Sequence, residues 1–143
     1  MDIEHILNQF FSEVPQMKEL FEIMCEIQGI SMVDGRAAVW KIGVMECIGF
    51  LLNESSEFLD LTRSVFAFLE KLAKADKETR DFFWYGTMSY FFEKTDVQKK
   101  AMMFMGPETK KLWVQYCSFE KDAQLWQLSQ LYSDEELEAM KQA

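Results

Sequence analysis

The chain has 143 residues, which suits one ordinary domain. Hydrophobic residues make up 49% and aromatic residues 15%, so the composition excludes a disordered chain, which would lack the apolar surface needed for a core. The formal net charge of −9 disfavours binding to nucleic acid or to an anionic membrane surface, because both require clustered Lys and Arg.

Apolar residues recur at helical spacing along nearly the whole chain. Pro15 suits the first turn of a second helix, and Gly29 stands where its C-terminal cap belongs. The segment Ser31 to Arg36 is predicted to be a loop, with Asp34-Gly35 as its turn signal. The first helix has five apolar residues on one face: Ile3, Ile6, Leu7, Phe10 and Phe11.

A third helix is predicted from about Ala37 to Leu52, and apolar residues surround it almost completely, as in a buried central helix. Gly43 and Cys47 lie one turn apart on it and would let another helix approach closely. A break at residues 53–56 precedes the fourth helix. That helix carries apolar residues at regular i, i+3, i+4 spacing: Phe58, Leu61, Val65, Phe66, Leu69 and Leu72.

Start and stop signals divide the second half of the chain. Asp76 is a suitable N-cap for a fifth helix, which reaches about Glu93. Thr95 and Gln98 have the spacing of a capping box for a sixth helix. Gly106-Pro107 ends that helix and begins a seventh.

The C-terminal part contains a further apolar pattern, at Leu125, Trp126, Leu128 and Leu131. The pattern leaves open whether residues 107–132 form one helix or two. Ser133 and Glu136 have the spacing of a capping box for a last short helix. Tyr132 and Leu137 are placed as its hydrophobic staple, and Met140 is a further apolar docking residue.

These elements predict an all-α protein with a single helical domain over residues 1–143. About seven to nine short helices would form an irregular bundle or a few stacked helical hairpins. The three cysteines, Cys25, Cys47 and Cys117, are an odd number at wide spacing, which is typical of reduced core thiols in a cytoplasmic protein.

Familiar catalytic and metal-binding patterns are missing from the sequence. His5 is the only histidine, so neither a zinc site of the usual type nor a di-iron bundle has enough ligands. Glycine-rich phosphate-binding loops and a GxSxG nucleophile motif are also missing. We therefore expect no catalytic residue, no metal and no cofactor.

Glu46 is the exception that keeps a carboxylate-based enzyme open as an alternative. It lies within the most apolar helix, beside Lys41, and a buried carboxyl group there would have a raised pKa. The competing interpretation is that Glu46 is solvated at the rim of the core or paired with a cation, because charged residues are seldom fully buried.

Acidic residues concentrate at the N-terminal end of the chain. Residues 1–60 hold 11 acidic and 3 basic side chains, a net −8, whereas residues 61–143 hold 13 and 12, a net −1. Within the acidic part, Glu19, Glu22 and Glu26 follow an i, i+3, i+7 spacing along one helix face. They form either a solvated outer face or a docking surface for a basic protein partner.

A second feature is the aromatic run from Phe82 to Phe92, in which seven of eleven residues are aromatic. One helix cannot direct all of them to a single core face, so other helices, self-association or a ligand must cover some of them. The run is either fully enclosed or forms an aromatic pocket at Trp84, Tyr85 and Tyr90.

Methionine and lysine concentrate further along the chain. Flexible methionine side chains fill irregular cores but also line adaptable surfaces. The nearby lysines could contact the acidic N-terminal part of the same molecule or of a second copy. The residues are Met102, Met103 and Met105, with Lys94, Lys99, Lys100, Lys110 and Lys111.

Together these features predict a non-enzymatic, cytoplasmic protein-interaction module that presents an acidic helical face to a basic protein partner. Small acidic proteins of the immunity or antitoxin type use such a surface to neutralise their targets. One alternative is a helical sensor that binds a small apolar ligand in the aromatic pocket. The other is the carboxylate-based enzyme.

Overall fold

The computed structural model describes residues 2–54, 56–119, 133, 135, 136 and 139. All regular structure among these residues is helical, which confirms the all-α prediction, and the seven helices match the lower end of the predicted count. The helices are α1 (Ile3–Glu13), α2 (Gln16–Gln28), α3 (residues 36–53), α4 (Leu59–Ala73), α5 (residues 77–93), α6 (Thr95–Phe104) and α7 (Pro107–Phe119).

The chain divides into two compact units, Met1–Phe68 and Leu69–Ala143, and the boundary falls within α4. Within the described residues, no helix is both long enough and apolar enough to cross a membrane. The predicted apolar pattern at residues 125–131, the staple at residues 132 and 137, and Met140 lie outside the described residues.

Helices α3 and α5 each contain a π-helical segment, at Val39–Met45 and at Trp84–Met88. The α-helical stretches on either side are Arg36–Ala38, Glu46–Asn53, Lys77–Phe83 and Ser89–Glu93. The sequence predicts both helices but not their π segments, because the change from i→i+4 to i→i+5 hydrogen bonds is local and no residue type or start signal marks it.

In the first unit, α1 begins at Asp2, whose carboxylate accepts a hydrogen bond from the Glu4 N–H at 3.0 Å. Its buried face includes Phe10, whose ring stacks on that of Phe68 with centroids 4.9 Å apart. Pro15 is the N-cap of α2, so the helix begins one residue later than predicted. Gly29 has the left-handed φ of 68° that the predicted C-terminal cap requires.

The predicted close approach at Gly43 is confirmed, and the neighbour is α2. A Cβ atom at Gly43 would lie 2.7 Å from Phe21 Cε2 and 3.4 Å from Cys25 Sγ. Since real Cβ atoms do not approach other atoms so closely as 2.7 Å, a side chain at Gly43 would displace the Phe21 ring. Glycine therefore lets α2 pack directly against the backbone of the π segment Val39–Met45.

In the second unit, the predicted capping box at Thr95 and Gln98 is wrong. Lys94 is the N-cap of α6, and Gln98 is fully buried. The Gln98 Nε2 atom donates a hydrogen bond at 3.2 Å to the Phe91 carbonyl near the end of α5. A buried amide needs a partner, so Gln98 satisfies the last turn of the preceding helix instead of the first turn of its own.

The capping box at Ser133 and Glu136 is confirmed. The Ser133 N–H donates to Glu136 Oε1 at 3.2 Å, and the Glu136 N–H donates to Ser133 Oγ at 3.1 Å. These two backbone donors are thereby satisfied by local side chains, which is why the spacing of the two residues alone predicts the contact.

The N-terminus of α7 is capped by a residue distant in sequence. The Glu70 carboxylate on α4 accepts hydrogen bonds from the Thr109 N–H at 2.7 Å, the Thr109 hydroxyl at 3.0 Å and the Glu108 N–H at 3.3 Å. Gly106 leaves room for this carboxylate, since a Cβ atom there would overlap Glu70 Oε2. The negative charge also complements the positive end of the helix dipole.

Candidate functional site

The first unit has an open groove of about 740 Å³ between α2, the end of α3 and the start of α4. We call it the acid-rimmed groove. The described residues that line it are Gln16, Glu19, Leu20, Ile23, Phe50, Leu51, Glu57, Phe58, Leu59, Asp60 and Leu61.

The floor of the groove is apolar and partly exposed to solvent. Ile23, Phe50, Phe58 and Leu59 are 46%, 44%, 37% and 39% exposed, respectively. The rings of Phe50 and Phe58 lie with their centroids 6.5 Å apart, so they form one continuous surface. Soluble proteins seldom leave such a contiguous apolar patch uncovered, and a patch with a polar rim is typical of an interaction site.

The rim of the groove carries three carboxylates, Glu19, Glu57 and Asp60. None of the described residues that line the groove is Lys, Arg or His. Arg63 approaches Asp60 at 3.9 Å, but both side chains are strongly exposed and such a pair contributes little. The groove therefore combines an apolar floor with a net negative rim.

Short-range backbone interactions fix the loop that forms one wall. The Glu57 N–H donates to the Glu54 carbonyl at 3.0 Å, which holds Glu57 and Phe58 in a turn. The buried Thr62 hydroxyl donates to the Phe58 carbonyl at 2.7 Å, which ties this turn to α4. The wall is thus held by hydrogen bonds instead of by burial of its side chains.

The three glutamates singled out in the sequence are all exposed on α2 but line different concave surfaces. Glu19 lines the acid-rimmed groove. Glu22 and Glu26 line a smaller pocket of about 360 Å³, whose other walls include Cys25 and Ile30. The outer face of α2 is thus an acidic ridge between two apolar concavities.

The cysteines of this region are thiols that do not ionise readily. Burial, with smaller contributions from the neighbouring Cys25 and Glu46, raises the pKa of Cys47 to about 12. Burial and then the charge of Glu22 raise the pKa of Cys25. Because the thiolate is the reactive form, neither residue is activated as a nucleophile.

The three aromatic residues predicted to form a ligand pocket lie in different environments. Trp84 lines a pocket of about 390 Å³ in the second unit, together with Arg80, Lys111 and Leu112. Tyr85 is 71% exposed, and Tyr90 is 3% exposed. The lining of the Trp84 pocket includes neither tyrosine.

The residues considered for catalysis or metal binding are dispersed. Glu46 is half-buried, and His5 is exposed on α1. Among the residues that the structure describes, no group of three His, Cys, Asp or Glu side chains could hold a metal ion.

Sequence reasoning missed the floor of the groove. The sequence places Phe58 among the regularly spaced apolar residues of the fourth predicted helix and Phe50 in a third helix that is apolar almost all round, and neither pattern indicates a groove. The available signal was the alternation of Glu57, Asp60 and apolar residues at the start of α4. No protein-family model, curated protein or solved structure shows a significant match to the chain.

Proposed function

We propose that the chain is a protein-interaction module that binds a basic amphipathic helix of a protein partner in the acid-rimmed groove. The observation that carries the proposal is the pairing of a partly exposed apolar floor with three carboxylates, with no cation among the lining residues that the structure describes. Binding without catalysis is the proposed activity. A cytoplasmic setting is consistent with three free thiols.

The shape of the groove favours a helix over other occupants. A small molecule is usually buried over most of its surface, which an open groove does not provide. A bound extended strand requires a sheet edge, and the described part of the chain is entirely helical in its regular structure. A helix can instead insert apolar residues at i, i+3 and i+4 into a groove of this kind.

The acidic rim determines which residues should flank the apolar stripe of the bound partner helix. Lysine or arginine beside that stripe would lie opposite Glu19, Glu57 and Asp60. Such rim pairs chiefly increase the association rate and fix the orientation, whereas the apolar floor supplies most of the affinity. The proposal therefore predicts separate effects for rim and floor substitutions.

A helical peptide built only of leucine and lysine, labelled with fluorescein, is a suitable probe. We expect saturable binding by fluorescence anisotropy, and we expect Ile23→Ser to weaken it about tenfold because that side chain contributes apolar contact area. The matched control is Ile27→Ser, which alters an apolar residue of α2 that is 71% exposed and does not line the groove.

Equal binding by the wild type and Ile23→Ser would reject the groove as the binding site. A peptide built of leucine and glutamate tests the role of charge. The proposal expects it to bind at least about tenfold more weakly, since its carboxylates would face those of the rim.

The Trp84 pocket favours a second candidate function, binding of a small organic carboxylate. Arg80 supplies a guanidinium group, and Trp84 and Leu112 supply apolar surface in the same pocket. Lys111 and the carboxylates of Asp81 and Glu108 also line it, so a bound carboxylate would compete with these two acidic side chains for the cations. Trp84 also lies in the π segment Trp84–Met88, and π segments occur frequently at functional sites. This candidate extends the sensor alternative and changes its ligand from purely apolar to anionic.

Titration of the protein with indole-3-acetate and with neutral indole-3-acetamide tests this candidate by calorimetry. The carboxylate should bind more tightly than the amide, and Arg80→Gln should remove the difference. The candidate would be eliminated if neither compound gave more heat than its own dilution. It would also be eliminated if the wild type bound both compounds with equal affinity.

A further inference from the structure

We infer that the acid-rimmed groove is occupied by helix α6 of a second copy of this chain. The inference rests on the proposed function and names the partner for the same groove. It begins from the distribution of charge: residues 61–143 are nearly neutral, at a net −1, against a net −8 for residues 1–60. Within the second half, helix α6 holds two lysines and one aspartate, a net +1.

Helix α6 offers one apolar anchor on its outer surface, because Val97, Gln98 and Ala101 form its buried face. The anchor is Met103, which is 78% exposed, more than any other methionine that the structure describes. Lys99 and Lys100 precede it by four and three residues, so both lie beside it on the outer surface of the helix.

The two surfaces match in chemistry. Met103 is an unbranched, polarisable side chain, and sulfur makes favourable contacts with aromatic rings such as Phe50 and Phe58 on the groove floor. With Met103 on that floor, Lys99 and Lys100 would face the carboxylates of the rim.

Existing contacts do not prevent this arrangement. Lys99 lies 3.9 Å from Glu136, but both side chains are about half exposed, and exchange of one such pair for another costs little. Asp96 is the acidic residue on the first turn of α6, and it lies about two turns from Met103. The lysines are therefore nearer than Asp96 to the apolar anchor.

The contact is heterologous, because the groove belongs to residues 16–61 and the inserted helix to residues 95–104. Each copy in such a pair retains one unused surface, so further copies add until the contacts close into a ring or the protein is exhausted. The average mass should therefore rise steadily with protein concentration and should fall when salt screens the rim charges.

Sedimentation velocity of the full chain over a wide concentration range tests the inference. We expect self-association at about 20 mM salt and largely monomer at about 0.5 M salt. Met103→Glu and Ile23→Glu should each weaken self-association at least about thirtyfold, because each places a charge in the apolar contact. Ile27→Glu, outside the groove, is the matched control and should leave the mass distribution unchanged.

Mixing the two impaired variants gives the decisive result. The Met103→Glu chain keeps its groove and the Ile23→Glu chain keeps its α6, so an equimolar mixture should form a heterodimer and stop there. Circular dichroism of each variant checks that both substitutions, at exposed positions, leave the helices intact.

A wild-type chain that stays monomeric at every concentration in low salt would overturn the inference. So would a mixture of the two variants that stays monomeric. If the leucine and lysine probe still binds the groove in those cases, the proposed function survives and only the assignment of the partner fails.

Discussion

Reversal of all three rim carboxylates, with Glu19→Lys, Glu57→Lys and Asp60→Lys in one chain, is expected to weaken binding of the leucine and lysine probe about a hundredfold at low salt. Each exposed ion pair contributes only a few tenths of a kcal/mol to about 1 kcal/mol, but reversal replaces three attractions with three repulsions. Anisotropy titration measures the change directly.

Two controls separate local charge from total charge. Reversal of three exposed carboxylates outside the groove lining, with Glu4→Lys, Glu78→Lys and Glu135→Lys, changes the net charge equally and should alter probe affinity less than about threefold. At about 0.5 M salt the affinities of the rim variant and of the wild type for the probe should be nearly equal, because salt screens the rim charges. An identical loss in both variants would assign the effect to net charge.

The largest expected effect on stability comes from loss of the Glu70 carboxylate. Glu70→Ala should lower the free energy of unfolding by about 2–3 kcal/mol, because hydrogen bonds to a charged group each contribute about 1.5–3 kcal/mol and their loss leaves polar groups unsatisfied. Thr109 is fully buried, so water cannot readily replace the carboxylate. Chemical denaturation measures the change.

Gly106→Ala should produce a loss of similar size through the same contact, since its Cβ atom would displace the carboxylate. The double variant should then be about as stable as either single variant, because the contact can be lost only once. Additive losses of stability would mean that the two residues act independently. Gly29→Ala is unsuitable as a control, because its positive φ adds a separate strain.

Local sequence rules predicted much of the fold. The reciprocal hydrogen bonds of Ser133 and Glu136 and the left-handed Gly29 depend on a few neighbouring residues, so their spacing was informative. Gln98 was misassigned because its buried amide reaches seven residues back to Phe91, and capping rules do not consider that distance. Glu70 was missed because its partner lies 39 residues away.

The candidate site was less predictable than the helices. The periodic stripe of α4 indicated that Phe58 faces a core, and helical spacing cannot distinguish a core from a partly open groove. Phe50 becomes part of the groove only because α3 ends beside the loop that carries Glu57 and Phe58. The charge pattern is a better guide to the groove than the apolar spacing, since the acidic spacing on α2 singles out Glu19, which lines the groove.

Amide NMR of isotope-labelled protein during titration with the unlabelled leucine and lysine probe tests the central claim most directly. We predict saturable shift changes concentrated at Leu20, Ile23, Phe58 and Asp60, with small changes at Glu22 and Glu26 across the α2 ridge. Changes that centre on the pocket of Glu22 and Glu26, or on any surface of the second unit, would contradict binding in the acid-rimmed groove.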